Sequence, residues 1–122
     1  MRRELLFLQD ILDAADAIAE FVVGLDFPAF AQNRQIRSAV TWELAVIGEA
    51  ARNITDELRL RYPEVPWSRV VGFRNVVIHR YFGIDWLEVW NTAVRNVPML
   101  REQIVAIFAA EFPDHHEPTP GM

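Results

Sequence analysis

Apolar residues at Leu5, Leu8, Ile11, Leu12, Ala15, Ile18, Ala19 and Val22 recur at steps of three and four. That period marks one face of an α-helix and predicts a helix over residues 3–23, with Gly24 placed to end it. Residues 25–30 read as a connection with room for a helical turn. A second stripe, Ile36, Val40, Leu44, Ile47, Ala51 and Ile54, predicts a helix over residues 33–54. Within it Gly48, Ala50 and Ala51 flank Glu49, so the backbone there is thinly covered. Glycine weakens a helix interior, and close approach of a neighbouring element is the compensation to expect. Thr55 suits the N-cap of a short helix ending near Arg61, with Asp56 and Glu57 at its positive end.

Pro63 and Pro66 bracket a turn, and Pro66 suits the first position of a helix over residues 66–82. Asp85 and Glu88 form a pair of capping-box type, with Ile84 and Val89 as the matching staple. They open a last helix over residues 86–110 with Leu87, Trp90, Val94, Val97, Leu100, Ile104 and Ile107 or Phe108 facing inward. Pro98 lies inside it and should kink it. No alternating strand pattern and no internal repeat occurs. The expected fold is all-α, an antiparallel bundle of four long helices plus one short helix. It is expected to span residues 1–112, with a loose tail over residues 113–122.

Composition narrows the function classes. The 122 residues include no cysteine, which excludes disulfides, thiolate metal sites and a cysteine nucleophile. No stretch is long and apolar enough for a membrane helix, and acidic residues at Glu4 and Asp10 interrupt any signal-peptide core. A cytoplasmic setting is expected. The formal net charge is -5, which argues against a polyanionic partner until the charge is divided along the chain. Residues 59–80 hold Arg59, Arg61, Arg69, Arg74 and Arg80 against Glu64 alone, while both flanking regions are acidic. A local basic field matters more to a polyanion than the net charge. All 12 basic residues are arginine, a pattern open to coding bias or to bidentate phosphate grip. Without lysine, Schiff-base and P-loop chemistry are out.

On a helix over residues 66–82, Arg74 and Tyr81 share the apolar face with Trp67, Val70, Val71, Val77 and Ile78. Asn75 and His79 lie four apart on a neighbouring strip. An arginine on an apolar stripe needs a partner. Either it is paired internally, with Glu49 on the small-residue segment as the preferred partner, or the stripe faces a cleft or a second chain. His79 is open to packing or to catalysis, with Asn75 able to orient one imidazole nitrogen. Arg74 and His79 are five positions apart, about 140° around a helix, so a shared site needs a kink, a long arginine reach or a second copy of the chain, and a composite site between two copies is the expectation. His115 and His116 read as a solvated terminus, and no metal site is expected.

The run Arg74-Asn75-Val76-Val77-Ile78-His79-Arg80-Tyr81 resembles the R-x-x-x-x-H-x-Y motif of HepT-like toxins, a branch of the HEPN superfamily. Further stretches resemble that family in the same order: residues 7–12, Ile47-Gly48-Glu49-Ala50-Ala51, Pro66-Trp67, Gly72-Phe73-Arg74-Asn75, Tyr81-Phe82-Gly83-Ile84-Asp85 and Val97-Pro98-Met99-Leu100. The resemblance covers residues 5–105, with Phe73 where a leucine is usual. It implies the toxin of a toxin–antitoxin pair, a metal-independent ribonuclease without a cofactor. Arg74 and His79 would be catalytic and Asn75 supporting. An antitoxin of the MntA nucleotidyltransferase type would transfer AMP to Tyr81. The substrate would be RNA, such as tRNA or mRNA, and the assembly a homodimer or a larger set of dimers. A non-catalytic docking subunit for a nucleotidyltransferase is the alternative that the residues leave open, followed by a plain dimerisation domain.

Overall fold

The computed structural model describes residues 2–78 and 83–115, and among these every regular element is helical. Helix α1 (Arg2–Val22) ends where Gly24 takes a φ of 74°, a left-handed conformation that costs glycine nothing. The expected connection holds a helix of its own, α2 (Phe27–Gln32), capped by the Asp26 side chain, which accepts from the Ala29 N–H. Asn33 then closes α2 with its backbone N–H and opens α3 (Arg34–Arg52) with its side chain, which accepts from the Ile36 N–H at 3.0 Å. Thr55 caps α4 (Asp56–Arg61) as its sequence position predicts, accepting from the Leu58 N–H.

The expected helix over residues 66–82 is broken. Its described part consists of α5 (Trp67–Val71) and α6 (Phe73–Ile78). Between them Gly72 accepts from the Asn75 N–H, three residues on rather than four. The tightened turn sits at the residue least committed to a helix. Pro66 stands one place earlier than expected, as the residue before α5.

The last helix is also interrupted. Helix α7 (Trp86–Asn91) is followed by a π-helical turn over Thr92–Asn96 and then by α8 (Val97–Glu111). Pro98 has no N–H to give to the preceding turn, and the wide turn absorbs the defect, with the Val97 N–H reaching back five residues to the Thr92 carbonyl. This changes which residues face inward. Val89, Ala93, Val97, Leu100, Ile104, Ile107 and Phe108 are buried, whereas Leu87, expected inside, is 49% exposed.

Helix α3 lies at the centre, against α1, α2, α5 and α6, while α8 packs on the other side of α1. The core joins Leu8, Ile11, Leu12 and Ile18 of α1, Val40, Leu44 and Ile47 of α3, and Ile104 and Ile107 of α8. In α1 the expected stripe holds except that Ala14 is buried and Ala19 is exposed. Polar ties fix the helix ends. Buried Glu4 accepts from the Thr55 N–H at 3.0 Å, and Arg101 of α8 pairs with Asp16 of α1 at 2.6 Å. The Tyr62 hydroxyl donates to Glu111 at 2.6 Å. That bond, with burial and the carboxylate charge behind it, raises the Tyr62 pKa, because the neutral phenol holds the proton that Glu111 accepts.

Candidate active site

Gly48 decides where Arg74 stands. A Cβ on Gly48 would lie 2.8 Å from the Arg74 backbone nitrogen and 3.0 Å from both the Arg74 Cβ and the Val71 carbonyl oxygen. The backbone of α6 is thus pressed directly onto α3, which is the close approach that the small-residue segment predicts. The next residue along α3 is Glu49, and its Oε2 lies 3.4 Å from Arg74 Nε. The preferred partner of Arg74 is therefore the one it has.

The pair is not sealed inside. The Arg74 side chain is 39% exposed and that of Glu49 49%. Glu49 also reaches Arg52, at 3.8 Å. Water screens such a pair, so its worth in stability is small and its effect is orientation. Glu49 takes the Nε edge, and among the described residues the two terminal nitrogens of Arg74 have no ion-pair partner. A guanidinium engaged at Nε keeps its two terminal nitrogens, a planar pair of donors of the kind that suits a phosphate. Asn75, the next residue, has an exposed side chain beside it. His79 and Tyr81 lie outside the described residues. The structure thus brings Arg74 and Glu49 together and leaves the Asn75 side chain exposed one residue further along α6.

Two features near this point escape a reading of the sequence. Trp42 is 68% exposed on α3, seven residues before Glu49 and so on the same strip, with half-buried Val46 between them. The second is a groove of about 630 Å³ between α5–α6 and the α7–π-turn segment, lined among others by Arg69, Phe73, Glu88, Asn91 and Asn96. Asn91 and Asn96 would stand about 140° apart on an α-helix. The π turn, with its bonds five residues back, gathers them along one side. Asparagines spaced by five just before a proline are the signal that could have located it.

Among the described residues no group of three or more His, Asp or Glu is placed to hold a metal ion. None of the described helices is long and apolar enough to cross a membrane.

Comparison with known proteins settles the family. The profile described as "Ribonuclease HepT-like" matches residues 11–107. The chain belongs to the HepT-like ribonuclease family. A Methanocaldococcus jannaschii protein named as an RNase, MJ1380, is 42% identical over 98 residues, which is 80% of this chain and 90% of that one. A Caldanaerobacter subterraneus protein also named as an RNase is 32% identical over 105 residues, covering 86% of this chain and 94% of its own length. A Thermococcus cleftensis protein named as a ribonuclease HepT is 35% identical over 95 residues, 78% of this chain and 86% of that one. No solved structure gives a significant match. Membership of this family makes a ribonuclease the class of enzyme to fit to the site, and Arg74 is the described residue whose setting suits a phosphodiester.

Proposed function

We propose that this HepT-like chain is the toxin of a toxin–antitoxin pair, cutting cytoplasmic RNA without a metal ion. The observation that carries the reading is the partly exposed Arg74 side chain, paired through Nε with Glu49 at 3.4 Å. RNA brings its own nucleophile. Its 2′-hydroxyl attacks the adjacent phosphorus and the 5′-oxygen leaves. His79 would take the first proton as general base or supply the second as general acid. Arg74 stabilises charge that grows on the phosphoryl oxygens, as a cation fixed in advance can do without reorganisation. Asn75 orients the phosphate or the imidazole.

Two copies of the chain would bring two such motifs together, which answers the angular separation of Arg74 and His79. Trp42 supports this, since an exposed tryptophan on the Glu49 strip is the kind of anchor that interfaces are built around. In this reading an MntA-type nucleotidyltransferase transfers AMP to Tyr81. The added phosphate then repels the RNA backbone and fills its path.

Induced expression should arrest growth, and Arg74→Ala and His79→Ala should each relieve the arrest. Purified protein should cut RNA in the presence of a chelator, with either variant at least ~100-fold slower. Arrest that persists in both variants would remove the motif from the chemistry. After co-expression with the nucleotidyltransferase, mass spectrometry of the peptide holding Tyr81 should show added AMP. Full neutralisation with an unmodified tyrosine would sink that half of the proposal.

A further inference from the structure

We infer that the groove beside Arg74 is a base-binding subsite that selects guanine in a single-stranded RNA. The inference rests on the ribonuclease reading and names part of the substrate. Phe73, one of the residues lining the groove, directly precedes Arg74 in α6, which puts the groove within one nucleotide's reach of a phosphate held by Arg74.

The walls carry opposite charge. Arg69 stands on the α5 side, and Glu88, with Asp85, on the α7 side. Asp85 has a structural duty, because its carboxylate caps α7 by accepting from the Leu87 and Glu88 N–H groups. Glu88 does not return the favour. The reciprocal bond expected of a capping box is not made, and among the described residues its carboxylate has no hydrogen-bond or ion-pair partner. Arg69 and Glu88 are not paired with each other either. The carboxylates facing the groove outnumber the guanidinium, so the site disfavours a phosphate and suits a neutral group with its own donors and acceptors.

Guanine fits that polarity better than the other three bases. It alone offers two adjacent N–H donors, N1 and N2, on its Watson–Crick edge, and one carboxylate accepts both. Its O6 and N7 form an acceptor pair that matches an arginine fork. Adenine and cytosine interrupt the donor row with an acceptor, and uracil has a single N–H. Asn91 and Asn96 supply amide donors and acceptors along the same wall, and the exposed Leu87 side chain gives apolar surface beside them. A groove of about 630 Å³ is within the range of sites for small ligands, and unstacked bases are what single-stranded RNA readers hold.

The test titrates 3′-GMP, 3′-AMP, 3′-CMP and 3′-UMP into the full chain by calorimetry, with none of them cleavable. The expected outcome is binding of 3′-GMP at least tenfold tighter than the others. Glu88→Gln should erase that preference and leave 3′-CMP within twofold, because an amide opposes one of the two guanine N–H groups with a donor. Asn91→Ala should weaken 3′-GMP to a smaller extent. Equal binding of all four nucleotides, or 3′-GMP binding indifferent to Glu88→Gln, overturns the inference. Mapping the cleavage sites separates the two readings. A chain that binds 3′-GMP through Glu88 but cuts no RNA keeps the subsite and loses the nuclease. One that cuts RNA without regard to base and binds all four alike keeps the nuclease and loses the subsite.

Discussion

Gly48→Ala is expected to destabilise the protein by about 1–2 kcal/mol and to cost more activity than that loss explains. Alanine is the better helix former by roughly 1 kcal/mol, so an isolated α3 would gain. The bundle loses, because the new methyl would sit 2.8 Å from a backbone nitrogen and 3.0 Å from a backbone oxygen, neither at the end of a flexible side chain. Relief requires α6 to lift from α3. Overpacking of this kind typically costs about 1–3 kcal/mol, which outweighs the propensity gain. The activity effect follows from which residue is displaced. The contacts are to Arg74 itself, so the guanidinium moves relative to both Glu49 and the groove.

Gly24→Ala is the matched control. Its φ of 74° imposes about 1–2 kcal/mol of strain on alanine, at the far end of α1 from this contact. Urea denaturation with an RNA cleavage assay on both variants should show similar losses of stability but a cleavage defect in Gly48→Ala alone. Wild-type cleavage by a destabilised Gly48→Ala would mean that Arg74 does not depend on its backbone seat.

Phe30→Ala should have the largest effect on folding, about 3–5 kcal/mol. Total stabilities of small domains are only about 5–15 kcal/mol, so much of the margin would go. Phe30 is fully buried. Its ring centroid lies 5.1 Å from that of Trp90 and 6.3 Å from that of Trp86, and the Arg37 guanidinium covers Trp86 at 4.6 Å. One side chain of the short α2 thus holds α7 against the bundle, and α7 is one wall of the groove. Denaturant unfolding followed by tryptophan fluorescence should show the loss, and Phe30→Leu should recover most of it. A loss under about 1 kcal/mol for the alanine variant would show that the aromatic cluster collapses around the gap.

The two substitutions differ in how far the sequence foretells them. Gly48 announces its role through its neighbours, since a glycine between helix-forming residues, beside alanines on a buried stripe, implies a close contact. The acidic residue next to it then becomes the natural partner for an arginine on another helix's apolar face. Phe30 gives no such warning. It lies in a segment with two turns' worth of residues and no period to read, and its burial depends on Trp86 and Trp90, more than fifty residues away.

By itself, then, the chain determined what short-range hydrogen bonding and helical period can encode. Gly24 as a stop, Thr55 and Asp85 as caps, most of the faces of α1 and α3 and the all-α class belong to that set, whereas for Arg74 the chain offered Glu49 as the preferred partner and the packing of α6 on α3 chose it. Tertiary structure decided the break at Gly72, the burial of Phe30, the exposure of Leu87 and the gathering of Asn91 and Asn96. Caps and stops close within one turn of the residue that specifies them, so they are local. A π turn shifts the phase of every later residue, and which face is then buried is set by the elements it packs against.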